Sequence, residues 1–160
     1  MTSWWTGNVA DELEGLGIDP KRIEPRNRRH AALGRVAKRL GRVKEEDRAE
    51  WKELIGSFLA QYDLLITPTL ALPPLKAKRW SERGWFANYL ANVRFAPFPA
   101  GANFAQLPSA AVPAGMHSNG IPLSVMMTAK AGSEALLLSV AKQLESLRPW
   151  KRHAPMARLG

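Results

Sequence analysis

The sequence contains no cysteine. That excludes disulfides, cysteine-ligated zinc and thiol nucleophiles together, and it fits a reducing compartment. No run approaches the roughly 18 uninterrupted apolar residues of a membrane span. The opening MTSWWTGNVADELEG turns acidic early and has no apolar core of the kind a signal peptide needs. The cytoplasm is therefore the expected location. The Gly-x-Ser-x-Gly elbow of many serine hydrolases is missing, as are the glycine-rich loops that cradle phosphates. Internal repeats and low-complexity tracts are absent too.

What is present has globular composition. The 160 residues are 46% hydrophobic and 23% charged, with a formal net charge of +9. A chain of this size buries roughly two thirds of its unfolded surface when compact. The basic excess is spread thinly, mostly after Asp63, and forms no dense stripe with interleaved aromatics. It reads as a solvated basic face, or as a face directed at protein, more readily than as a nucleic-acid surface.

Apolar periodicity locates the elements. Trp5, Val9, Leu13 and Leu16 recur at helical spacing before Gly17. The segment IDPKRIEPRN reads as a connector. Leu33, Val36, Ala37, Leu40 and Val43 mark one face of a basic helix, and Trp51, Leu54, Ile55, Phe58, Leu59 and Tyr62 mark the next, opened by an acidic turn that suits the helix dipole. DLLITPT reads as a buried strand ending at Pro68, followed by the Pro-rich loop LALPPLKAKRW. Trp85 to Phe95 reads as a helix, and Pro97 and Pro99 bracket a turn. SAAVPAG and IPLSVMMTA read as strands around the polar turn MHSN. A leucine-rich helix follows, with Ser133 as its cap, and ends before Pro149.

Three helices, a strand, a helical insert, two strands and a helix imply an α/β chain with helices packed on a few strands. The expected organisation is a helical segment over 1–62, an α/β segment over 63–155 and a tail over 156–160. Three strands make a thin sheet, so the chain reads as part of a larger layered structure.

The residue types needed for catalysis do not assemble into a set. Ser57 lies within an amphipathic helix, Ser118 in a turn and Ser133 at a cap, all structural settings for serine. His30, His117 and His153 lack ligand spacing to one another or to a carboxylate pair, so no metal site is expected. The carboxylates of KEEDRAEWKE interleave with Lys and Arg, as on a solvated face.

Three stretches, in order, resemble the C-terminal part of the amidase signature family: YDLLITPTLALPP (Tyr62–Pro74), NFAQLPSAAVPAG (Asn103–Gly115) and NGIPLSVMMTAKAGSEALLLSVAKQLE (Asn119–Glu145). The closing RPWKRHAP is similar to the family's trailing Trp and Arg, and IEPRNRRHAALGRV fits more loosely. Pro68, Pro113 and Pro122 are expected to end or begin strands, where a missing amide donor is tolerated. Gly115 and Gly120 supply turn freedom around MHSN.

The resemblance implies the C-terminal part of a mixed-sheet α/β/α fold. It also implies amide hydrolysis through a serine acyl-enzyme, without metal or organic cofactor. The family's Ser–cis-Ser–Lys set lies on an upstream Lys and a Gly- and Ser-rich segment, neither of which this sequence contains, so no catalytic residue is assigned. Leu70, Phe98, Asn103 and Phe104 are the substrate-pocket candidates that the resemblance implies. The two aromatics are weighed against plain core packing, and Asn103 against pinning a loop.

The chain is thus expected to be inactive alone, as a truncated product or one half of a split enzyme. Its expected partner is an N-terminal amidase portion or a second copy, with a small amide substrate only in the complete enzyme. A helix following Met1 at once hints at an arbitrary cut. The alternatives are a non-enzymatic α/β interaction module derived from the same fold and, less favoured, a basic nucleic-acid-binding protein.

Overall fold

The computed structural model describes residues 2–77 and 79–150. The tail from Lys151, including His153 and most of the RPWKRHAP motif, lies outside the described residues, as does Met1. The described chain runs α1 (Thr2–Gly15), α2 (Pro25–Arg39), α3 (Glu45–Gln61), β1 (Leu65–Pro68), α4 (Trp85–Phe95), α5 (Pro97–Ala105), β2 (Ser109–Met116), β3 (Pro122–Thr128) and α6 (Glu134–Leu147). Short 3-10 turns occur at Pro20–Arg22 and Trp80–Glu82. This is the α/β arrangement expected from the sequence.

The three strands form one antiparallel sheet in the order β1-β3-β2. Ala110 and Val112 of β2 lie opposite Met127 and Val125 of β3 and share a face with them. Helix α6 lies on that face through Leu137, Val140 and Ala141, and closes a core of Val112, Met127, Ala129 and Leu137. Ile66 of β1 pairs with Met127 on the same face but is 60% exposed, whereas Met127, packed with Leu137 of the helix, is fully buried. β1 is therefore a half-exposed edge strand, where a fully buried one was expected. Pro113 also departs from expectation. It sits inside β2 next to an irregularity between Pro113 and Gly115, not at a strand end. An edge strand with a bulge tolerates the lost donor.

The helices pack differently. α1 meets α2 through Thr6, Gly7 and Ala10 on one side and Ala31 and Gly34 on the other, all buried. A Cβ on Gly34 would lie 2.0 Å from the Thr6 carbonyl oxygen, so only glycine permits this backbone approach. The Arg35–Glu14 and Lys38–Asp11 ion pairs flank the contact. The large apolar residues read as the packed faces turn outward instead: Trp5 on α1 and Leu16 just beyond it, and Leu33 and Val36 on α2 with Leu40 just past its end, are all exposed.

α3 packs on α5. Trp51 Nε1–H donates to the Gly101 carbonyl at 2.9 Å, and Arg48 Nε–H to the Phe104 carbonyl at 3.0 Å. α5 itself corrects the reading of Pro97–Pro99 as a turn. Pro97 opens the helix and Pro99 stands within its first turn, where backbone donors have no intrahelical acceptor to lose. Ser133 does precede α6, but its hydroxyl makes no capping hydrogen bond.

The chain exposes 11835 Å². A compact monomer of its 17.7 kDa mass would expose roughly 8,000 Å². Leu59 and Met127 are the largest side chains that are fully buried. No helix among the described residues is long and apolar enough to cross a membrane.

Candidate functional site

A groove of about 520 Å³ lies between α1, α2, α4 and the turn at Trp80. α1 contributes Trp5 and Val9, and α2 contributes Arg26, Asn27 and His30. α4 presents Trp85, Asn88, Tyr89 and Asn92, residues one helical turn apart or adjacent to that spacing. The outward-facing Trp5 of α1 thus has a purpose: it forms one wall. Trp85 and Tyr89 stack nearly parallel, with centroids 5.2 Å apart and planes 8° apart.

His30 sits between two tryptophans. Its ring lies edge-on to Trp5 at 5.2 Å and to Trp85 at 5.7 Å. Trp85 Nε1–H donates to His30 Nδ1 at 3.0 Å, which leaves the proton of the neutral imidazole on Nε2. That Nε2 is buried and has no partner among the described residues. Burial lowers the His30 pKa below its usual value, because a charged ring would lose its hydration here.

A second recess of about 370 Å³ adjoins the groove and shares Arg26 and Trp85 with it. Arg29, Arg83, Glu24 and Glu82 complete its rim. Arg26 is paired with Glu24 at 2.6 Å, and Glu82 with Arg79 at 3.2 Å. Arg83 stands over the Trp80 ring, 4.4 Å from its centroid.

None of the four sequence-derived pocket candidates lines this groove. Leu70 lies partly exposed in the loop after β1. Phe98, Asn103 and Phe104 all belong to α5. Phe98 is half-buried, and Asn103 is exposed. Phe104 is buried edge-on against Trp4 at 5.3 Å. The groove was not legible in the sequence because its parts come from positions 5, 30 and 85, each of which reads locally as one helix's own face.

The serines keep structural settings. Ser57 donates to the Leu54 carbonyl at 2.8 Å within its helix. Ser118 stays in the turn, where Asn119 Oδ1 lies 2.8 Å from His117 Nδ1 and accepts from the Ile121 amide at 3.2 Å. Among the described residues no three His, Asp or Glu side chains gather in a way that could hold a metal. Thr67 and Thr69, at the end of β1, bury hydroxyls that have no partner among the described residues.

The amidase family model matches residues 14–138, and the chain belongs to that family. AmiA2 of Mycobacterium tuberculosis, assigned as an amidase, is 27% identical over 151 residues, covering 94% of this chain and 30% of that protein. AmiB2 of the same organism, assigned likewise, is 30% identical over 149 residues, with 92% and 32% covered. AmiC of Mycobacterium leprae is 32% identical over 159 residues, with 91% and 30% covered.

Of solved structures, 6-aminohexanoate cyclic dimer hydrolase superposes with a TM-score of 0.73 at 23% identity, over 94% of this chain and 34% of that one. The glutamyl-tRNA(Gln) amidotransferase protein of Thermotoga maritima gives 0.58 at 23% identity, over 77% and 25%. At that identity the likeness is one of fold. The chain spans about a third of the length of the relatives it matches.

Proposed function

We propose that this chain is the C-terminal portion of an amidase-signature amide hydrolase and is inactive alone. In the complete enzyme, a serine outside this chain would attack the amide carbonyl and form an acyl-enzyme, which water then cleaves. The role of this chain would be to complete the sheet and wall part of the substrate cleft, with the segment around Leu70 and the α5 residues Phe98, Asn103 and Phe104 as candidates for that wall.

The observation that carries this reading is the open apolar surface. Ile66 on the edge strand β1 is 60% exposed, and Leu138 and Leu147 of α6 are 69% and 83% exposed. Surfaces of this kind mark places where other protein packs.

The test is hydrolysis of a panel of aliphatic and aromatic amides by the 160-residue chain, alone and mixed with the remaining two thirds of AmiB2. No turnover alone, with turnover on mixing, is the expected pair of results. Turnover by the chain alone would overturn the proposal. A stable complex that never turns over would favour the interaction-module reading.

A further inference from the structure

The groove and its neighbouring recess have a composition that the amidase reading does not use. We propose that together they form a site for a small planar aromatic carboxylate. The aryl body would lie in the groove against Trp5, Trp85 and Tyr89, and the carboxylate would lie at the rim beside Arg29 and Arg83.

Shape and charge together favour such a ligand. A volume of about 520 Å³ falls within the range of small-molecule sites, which are mostly apolar with a few convergent polar groups. Aromatic walls select flat ligands, because offset stacked or edge-on rings gain energy beyond their area. The Trp85–Tyr89 pair and the edge-on His30 already show that geometry with one another.

Charge picks the ligand's polar end. At the rim, Glu24 is spent on Arg26 and Glu82 on Arg79. Arg29 and Arg83 have no carboxylate partner among the described residues, and stacking on Trp80 leaves the edge of the Arg83 guanidinium available to donate. Arginine recognises carboxylates through two parallel hydrogen bonds. A cation, by contrast, would meet unneutralised arginines, and a neutral ligand would leave them unused. His30 reinforces the apolar end: burial lowers its pKa, which keeps the ring between Trp5 and Trp85 uncharged at neutral pH.

The site requires no amidase activity, so it stands or falls separately from the proposed function. The test uses the 160-residue chain and two isosteric planar probes, trans-cinnamate and trans-cinnamamide. Each is titrated while the indole N–H signals of the six tryptophans are followed by NMR. The carboxylate should bind saturably and at least about tenfold more tightly than the amide, the ratio one charged hydrogen bond supplies. Its shifts should concentrate on Trp5, Trp80 and Trp85, and not on Trp51 or Trp150.

Changing both Arg29→Gln and Arg83→Gln, at exposed positions, should lower carboxylate affinity about tenfold and lower amide affinity far less. Three results would each overturn the proposal: no saturable binding of the carboxylate, equal affinity for both probes, or an affinity indifferent to the two arginines.

Discussion

The α1–α2 pair and the sheet with α6 solve the packing problem in opposite ways. In the sheet region, large apolar side chains point inward, and Met127 and Leu137 fill the space between strand and helix. In the helical pair the small residues point inward, and Trp5, Leu33, Val36 and Leu40 point out. Two helices whose backbones touch at Gly34 have no room between them for large side chains. Their leucines and tryptophans can be buried only by something on the far side. For Trp5 that is partly the groove wall; for Leu33, Val36 and Leu40 nothing among the described residues supplies it. An apolar stripe thus records where a helix must eventually be covered, and the second surface it meets decides which stripe is used first.

The contrast can be broken most sharply at Gly34. Gly34→Ala forces a methyl group onto the Thr6 carbonyl and should cost about 3 kcal/mol or more, by overpacking against backbone that cannot yield. Gly56→Ala in α3, where the added methyl meets nothing, should instead stabilise by about 0.5 kcal/mol through the unfolded chain. Urea unfolding of the two variants measures the difference. Similar losses in both would mean that the close approach of α1 and α2 does not exist in solution.

In the sheet region the same logic runs through volume. Leu137→Ala leaves a cavity over Met127 and should cost about 2 to 4 kcal/mol. Its neighbour Leu138→Ala, on the open side of the helix, should change stability by about 0.5 kcal/mol or less. If Leu138 proved as costly as Leu137, α6 would be covered on both sides by the chain itself.

A smaller effect separates the groove from both regions. The His30 pKa is lowered by burial, so the folded state binds its proton less readily than the unfolded state does. Stability from the neutral ring is present above the unfolded-state value of about 6.5. It is lost as the pH falls toward the lower folded-state value. His30→Gln should flatten that acid-side loss in a series of urea titrations. Equal slopes for His30→Gln and the parent chain would remove the histidine from the account.

Much of the architecture was legible because it is local. Short apolar runs marked by Pro and Gly located β2 and β3, and the leucine repeat located α6. The order of three motifs reached the amidase family, which the family match over residues 14–138 bears out. What escaped was set by contacts distant in sequence. Nothing local distinguishes Thr6, Gly7 and Ala10 from the apolar stripe beside them until Gly34 is brought against Thr6. Pro97 and Pro99 looked like turn residues because proline serves the first turn of a helix equally well. The groove joins Trp5, His30 and Trp85 across long separations, and the ring contacts of His30 with both tryptophans, together with the Trp85–His30 hydrogen bond, are what bring them together.

The measurement that reaches the central claim most directly is sedimentation velocity of the 160-residue chain over a range of concentrations, read together with binding of an apolar dye. If the outward leucines of α2 and α6 are faces meant for other protein, the chain will self-associate as concentration rises. It will also bind the dye in its folded form, and Leu138→Lys with Leu147→Lys will weaken both without lowering stability. A chain that stays monomeric at high concentration and leaves the dye unbound would contradict the claim, because its apolar surface would then already be covered.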